Sequence, residues 1–129
     1  MGLPTMIKTS KTQNRALQRV RKVCLSLPCS SEVGSWGHPN FRAGKRTFVA
    51  FEQIKGRPSI AFRLPPTDVD LLLRRPNFFA TPYGRNQWVS VWADGSLDWE
   101  LVEHLVERSY RTVAQKRMIA ALSDASTRS

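Results

Sequence analysis

The chain has 129 residues, of which 41% are hydrophobic and 23% are charged; these values are typical of one globular domain and exclude a wholly disordered chain. Lysine and arginine number 20 against 10 aspartates and glutamates, which leaves a net charge of +10. A balance this basic favours a polyanionic partner such as nucleic acid, an anionic membrane surface or an acidic protein, while arginine-rich codon usage is the competing explanation.

The sequence also bears on compartment. No apolar run approaches the ~20 residues that span a bilayer, and residues 1–15 lack the hydrophobic centre of a secretory signal. Cys24 and Cys29 lie on either side of Pro28, where a disulfide needs awkward geometry, and no histidine stands at a recognised metal-binding spacing. We therefore predict a cytoplasmic protein with two buried free thiols, no contact with membranes and no bound metal.

Periodicity divides the chain into a basic tail over 1–11, one domain over 12–122 and a polar tail over 123–129. Both tails are predicted to be flexible. The domain opens with apolar residues at spacings of three and four, which predict a helix over 13–27: Leu17, Val20, Cys24 and Leu27. The remaining sides of this helix are basic, and Pro28 ends it.

Short strands are predicted next, over 32–36, 40–43, 46–53 and 59–64, with tight turns around Gly44 and Gly56. Side chains alternate between the two faces of a strand. Alternation therefore predicts that Ile60, Phe62 and Leu64 face the core. On the preceding strand it directs Val49 and Phe51 to the core and turns Phe48 and Ala50 outward.

The second half of the domain is predicted to hold a short helix, a strand and a long helix. Thr67 with Asp70 resembles a capping box for the short helix, and 77–87 is predicted to be a loop before a strand over 88–93. Asp98 is predicted to cap a helix that reaches about Ala121. The order of elements predicts an α+β two-layer sandwich, with two long helices on one face of an antiparallel sheet and one short helix besides.

Motifs spread along these elements resemble the MmcQ/YjbR family over about residues 15–122. The matching pieces are Trp36-Gly37-His38-Pro39 with Phe41, Gly44-Lys45 with Phe48, Arg74-Arg75-Pro76, Pro82-Tyr83, Trp88 with Asp94-Gly95, and Ser109-Tyr110. The resemblance implies a frataxin-like (CyaY-like) fold. It also implies a DNA-binding protein in which two β-hairpins act as wings.

If the wings exist, their tips carry the cations that would contact phosphates: Lys45 and Arg46 on the first, Lys55 and Arg57 on the second. Arg42, Arg63 and Arg85 would extend this basic patch. Trp36 and Trp88 would stack on bases if they lie on the open face of the sheet. The alternatives are solvated turns for the cations and a secondary core under the 77–87 loop for the tryptophans. No recognition helix is apparent, so we predict that the protein binds nucleic acid without sequence specificity. We also predict a monomer.

Two other classes of function remain open. An interaction or small-anion module would use a mixed floor on the open sheet face made of Phe48, Arg63, Trp88 and Trp92. An enzyme is disfavoured because His38 has no carboxylate or nucleophile at a readable spacing and Ser109 lies inside a helix. We predict no cofactor. Iron binding is disfavoured because the charged residues of the first helix are all cations, namely Arg15, Arg19, Arg21 and Lys22, and the helix has no carboxylate to bind a metal ion.

Overall fold

The computed structural model describes residues 11–35 and 37–128. Trp36, predicted to stack on bases, and residues 1–10 of the predicted basic tail lie outside the described residues. The elements in chain order are α1 (Lys11–Leu25), β1 (Ser30–Ser35), β2 (His38–Ala43), β3 (Arg46–Ile54), β4 (Arg57–Arg63), α2 (Pro66–Leu72), β5 (Phe78–Ala80), β6 (Trp88–Trp92), α3 (Trp99–Val113) and α4 (Lys116–Arg128). Among the described residues, no helix is long and apolar enough to cross a membrane.

The strands form one antiparallel sheet of six, in the order β1-β2-β3-β4-β6-β5. The helices α1 and α3 contact each other and the sheet. Val20 of α1 and Val106 of α3 share one buried cluster with Val49, Ile60 and Phe62 of the central strands. The predicted α+β architecture, with two long helices packed on one face of the sheet, is confirmed.

A β-bulge in β3 reverses one prediction. Phe41 pairs with Val49 and Arg42 pairs with Thr47, so Phe48 is an extra residue on its strand. Phe48 consequently turns to the same face as Val49 and is fully buried, with its ring edge-on to Tyr110 at a centroid distance of 5.5 Å. The prediction that Phe48 looks outward is wrong, because simple alternation fails where a strand carries one residue more than its partner.

Tyr110 ties α3 to the end of α1. Its ring is completely buried, and its hydroxyl donates a 2.6 Å hydrogen bond to the Pro28 carbonyl oxygen. Burial raises the pKa of this phenol, so the hydroxyl remains a donor across the neutral range. Tyr110 therefore fixes the position of α3 above the bulge at Phe48.

The helix boundaries differ from the predicted ones for local reasons. Helix α2 starts at Pro66, whose fixed φ and missing N–H suit a first turn, and no side-chain cap forms, so the predicted Thr67 capping box is wrong. The predicted cap of α3 is confirmed, since the Asp98 carboxylate accepts a hydrogen bond from the Leu101 N–H.

The predicted last helix is in fact two helices. Ala114 adopts an extended conformation (φ −70°, ψ 149°) after α3, and α4 then continues to Arg128, well past the predicted end near Ala121. Met118 and Leu122 of α4 are buried in the main core. The flexibility predicted for the second tail stays a prediction.

The two thiols have different surroundings. Cys24 belongs to α1 and is fully buried in the core, and burial raises the pKa of its thiol far above the ordinary value. Cys29 is exposed, which corrects the prediction that both thiols are buried.

We expect a thiol reagent at neutral pH to label Cys29 of the native protein rapidly and Cys24 only after unfolding, because Cys29 is exposed, whereas burial both shields Cys24 and raises the pKa of its thiol. Colorimetric thiol titration with and without denaturant checks this. The Cys29→Ser variant serves as control and should lose the rapid reaction. Two rapid thiols in the native protein would contradict the packing of α1 on the sheet.

Candidate nucleic-acid interface and sheet cleft

The two predicted wing tips lie at opposite ends of β3. Ala43 pairs with Arg46 at one end, and Ile54 pairs with Arg57 at the other. At ~3.3 Å per residue, the nine residues of β3 separate these turns by roughly 26 Å. We call the two ends of the sheet the Gly44 end and the Gly56 end. The two tips therefore do not form one local patch.

The Gly56 end carries both positive and negative side chains. Lys55 and Gly56 form a two-residue turn with positive φ at both positions (53° and 78°), and Lys55 is exposed. Arg57 donates a 2.7 Å hydrogen bond to the Asp94 carboxylate and lies 4.0 Å from the Trp92 ring centroid. The hydrogen bond from Arg57 lowers the pKa of Asp94. A predicted phosphate contact is thus already bound to a carboxylate.

The Gly44 end gathers the remaining predicted cations. Lys45 and Arg46 are exposed at the turn, and Arg42 and Arg63 are half-buried on the neighbouring strands. The Leu64 N–H donates a hydrogen bond to the Gln87 carbonyl oxygen, at 3.0 Å, which brings the loop carrying Arg85 to the same end. Within the described part of the chain, none of the five cations forms a salt bridge.

Helix α4 adds two more cations to the Gly44 end, a position that the sequence did not indicate. A side-chain carbon placed on Gly44 would lie 2.8 Å from the Met118 Cε, so α4 packs directly against the β2–β3 turn. Lys116 and Arg117 are exposed within one helical turn of Met118. Sequence periodicity assigned them to the end of α3, because the break at Ala114 carries no glycine or proline. We define the Gly44-end cations as Arg42, Lys45, Arg46, Arg63, Arg85, Lys116 and Arg117.

Four arginines of α1 and α3 are paired with carboxylates instead. Arg21 donates to Glu32 at 2.7 Å, and this hydrogen bond raises the pKa of the guanidinium. Glu107 accepts from Arg111, Asp68 from Arg108, and Glu103 lies 3.7 Å from Arg19. Among the described residues, five exposed cations outside the Gly44 end also form no salt bridge, namely Arg15, Lys22, Lys55, Arg74 and Arg75, and the Gly44 end holds the larger group of seven.

The sheet face opposite the helices is partly covered by a loop. Small side chains form a row across its centre, with Ala50 pairing with Ala61 and Ala61 with Ser90. The Thr81 and Ser90 hydroxyls are hydrogen-bonded at 2.7 Å, so the chain after β5 folds back over this row. Strand β5 lies inside the predicted loop and is too short for periodicity to detect.

Residues 81–87 hold a strained conformation over the sheet. Tyr83, Arg85 and Asn86 have positive φ values of 63°, 50° and 62°, which non-glycine residues rarely adopt. Gly84 is required by space, since a side-chain carbon there would lie 2.9 Å from the Trp88 Cβ and 3.0 Å from the Thr81 carbonyl oxygen. This close contact fixes the loop against β6.

Between the loop and β2–β3 lies a cavity of about 300 Å³, which we call the sheet cleft. Asn40, Arg42, Thr47, Tyr83 and Trp88 line it together with Ala50, Glu52, Ala61, Thr81, Pro82 and Gly84. The Arg42 Nε is buried and has no hydrogen-bond partner among the described residues, and Tyr83 is fully exposed. Trp88 is half-buried beside the cleft, so it belongs neither to a sealed secondary core nor to a free surface.

The mixed floor predicted for a ligand site does not assemble as expected. Phe48 is in the main core, and Trp92 is stacked between Phe79, at a centroid distance of 4.1 Å, and Arg57. Only Arg63 and Trp88 remain together, paired across β4 and β6. The floor of the cleft is instead the pair Ala50 and Ala61, whose small side chains give the cleft its depth.

His38 has a carboxylate neighbour that sequence spacing did not indicate. Its Nε2 lies 3.4 Å from a Glu52 carboxylate oxygen across β2 and β3, and its Nδ1 is buried with no hydrogen-bond partner in the described part of the chain. The two residues line a second cavity of about 500 Å³ on the other side of Pro82 and Tyr83. Within residues 11–35 and 37–128, no three histidine, cysteine or acidic side chains are grouped as a metal site.

The family model described as YjbR matches residues 25–112, well over half of the chain. The chain belongs to the YjbR family. The resemblance predicted from its motifs is therefore confirmed, and α4 lies beyond the matched range. A comparison with curated proteins gives no match.

Two solved structures are similar to this YjbR-family protein in fold. The Deinococcus radiodurans protein DR2400, with domain DUF419, matches at a TM-score of 0.69 and 21% identity, over 83% of this chain and 87% of that one. A Pseudomonas syringae protein matches at a TM-score of 0.61 and 16% identity, over 81% of this chain and 98% of that one. The similarity extends over nearly the whole of both neighbours.

Proposed function

We propose that this YjbR-family protein binds nucleic acid without sequence specificity through the Gly44-end cations. One observation carries the proposal: seven cations gather at one end of the sheet, and none of them is in a salt bridge within the described residues. Unpaired cations on one surface attract a phosphate backbone and release its counterions on binding. The arginines add planar donors that suit phosphate oxygens.

The proposal changes the double-wing picture. Only the β2–β3 hairpin contributes its tip to the proposed surface, and α4 replaces the second hairpin as the neighbouring source of charge. Lys55 at the other tip is roughly 26 Å away along β3 and contributes only long-range attraction, which salt screens within ~10 Å. The frataxin-like comparison, the monomeric state and the cytoplasmic location stay predictions.

A salt titration tests the proposal. We expect the quadruple variant Lys45→Ala, Arg46→Ala, Lys116→Ala, Arg117→Ala to bind a labelled oligonucleotide at least about 100-fold more weakly at ~0.1 M salt, because each lost phosphate contact removes about one unit of salt slope. Fluorescence anisotropy across a salt series measures both quantities. The slope of log affinity against log salt should fall by about 3 to 4.

The chain offers a control with the same net charge. The variant Arg15→Ala, Lys55→Ala, Arg74→Ala, Arg75→Ala also removes four exposed cations, but from positions outside the Gly44 end. We expect it to weaken binding less than about 3-fold, since long-range attraction is screened. Equal losses in the two variants, or no binding by the wild type at low salt, would overturn the proposal.

A further inference from the structure

We infer that the sheet cleft accepts one unpaired nucleotide, so that single-stranded nucleic acid is the substrate class of the Gly44-end surface. The inference rests on the proposed function and deepens it. The cleft lies beside that surface, since Arg42 belongs to both. A strand whose backbone follows the cations therefore passes the mouth of the cleft.

Arg42 provides the anion contact inside the cleft. Its Nε is buried without a hydrogen-bond partner, and it forms no salt bridge in the described part of the chain. Glu52, the carboxylate that lines the cleft, lies 3.4 Å from His38 instead. A buried guanidinium donor without an acceptor is unfavourable, and a phosphate oxygen relieves this cost with a charge-assisted hydrogen bond.

The aromatic side chains provide the base contact. Trp88 lines the cleft with a half-buried ring, and Tyr83 stands fully exposed at its edge. The loop holds Tyr83 outward at a positive φ of 63°, a conformation that costs energy and is often found at binding sites. Bases of every kind stack on such rings, which gives affinity without sequence preference.

Size restricts the occupant to one nucleotide. The cleft encloses about 300 Å³, the lower limit for a small-molecule site, above the Ala50 and Ala61 floor. In a duplex the bases are stacked and paired, so no base face is available to Tyr83 or Trp88 without extrusion, which costs free energy. Thr47 supplies a hydroxyl group at the cleft wall for the sugar or the base edge.

The test compares a single strand, the duplex of the same sequence and a free nucleoside monophosphate, by anisotropy and by competition. We expect the wild type to bind the single strand at least about 10-fold more tightly than the duplex, since stacking of even one base corresponds to a factor of this size. Tyr83→Ser should bind the single strand about 10-fold more weakly than the wild type does, while its affinity for the duplex should change little. Tyr83→Phe keeps the ring and should bind the single strand about as tightly as the wild type.

Arg42→Gln should also weaken single-strand binding by about 10-fold, whereas the matched control Arg57→Gln, on the same sheet face but paired with Asp94, should change it little. Thermal unfolding of each variant establishes that it is folded. Equal binding of single strand and duplex, with no effect of Tyr83→Ser, would overturn this inference and leave the proposed function standing. A monophosphate that binds as tightly as the strand would overturn it too, and no binding of any nucleic acid would remove both proposals.

Discussion

Replacing Phe48 with alanine will lower the free energy of unfolding by about 3–5 kcal/mol, the range for a large aromatic side chain deleted from a packed core. Phe48 is fully buried and meets the Tyr110 ring edge-on at 5.5 Å, so its removal leaves a cavity between the sheet and α3. Denaturant unfolding, followed by circular dichroism, measures the change. Phe48→Leu should cost less, since it refills most of the volume.

The neighbouring position provides the control for the bulge. Thr47 lies on the cleft side of β3 and is only half-buried, so Thr47→Ala should change the free energy of unfolding by less than about 1 kcal/mol. Simple alternation would place Thr47 inward and Phe48 outward, so it predicts that Thr47→Ala lowers the free energy of unfolding more than Phe48→Ala does. If the two alanine variants cost the same, or Thr47→Ala costs more, the bulge between β2 and β3 is absent.

Replacing Met118 with alanine will lower the free energy of unfolding by about 2–4 kcal/mol, a typical cost for a buried methionine. Met118 is 3% exposed, and its side chain packs against the backbone at Gly44. The same substitution should weaken nucleic-acid binding, because Met118 holds Lys116 and Arg117 beside the β2–β3 turn. Denaturant unfolding and anisotropy measure the two effects separately.

Arg117→Ala is the matched control for stability. Its side chain is exposed and, among the described residues, hydrogen-bonds only to Gln115, so the free energy of unfolding should change by less than about 0.5 kcal/mol. Amide hydrogen exchange adds a second readout, since docked α4 amides should be protected in the wild type and exchange faster in Met118→Ala. A Met118→Ala variant as stable as Arg117→Ala would show that α4 is not docked on the turn.

Local signals account for most of the correctly predicted elements. Spacings of three and four predicted α1, and alternation placed Ile60 and Phe62 of β4 in the core. Asp98 marked the start of α3 because a capping hydrogen bond depends on residues only three apart. The glycine turns also follow from local backbone preference, since Gly44 and Gly56 both adopt positive φ.

The candidate site was predicted less well because its parts meet only through long-range contacts. Arg42, Lys45, Arg46, Arg63 and Arg85 were predicted and do gather at one end, but sequence placed Arg57 with them. Its pairing with Asp94 joins residues 37 apart in the chain, which no local pattern indicates. The role of Tyr83 depends on a loop in which Tyr83 and Arg85 adopt positive φ, a conformation that their residue types do not predict.

The sequence by itself determined the family, the α+β class and the basic character, because periodicity, capping and composition are local or additive properties. Only the tertiary structure decided where the unpaired cations lie and what shape the sheet face opposite the helices has. One extra residue in β3 moved Phe48 into the core, and the contact of Met118 with Gly44 carried two cations to the first hairpin. The fold-back of residues 81–87 turned a flat face into a cleft. Each of these outcomes depends on how separate elements pack, and packing is not encoded at any single position of the chain.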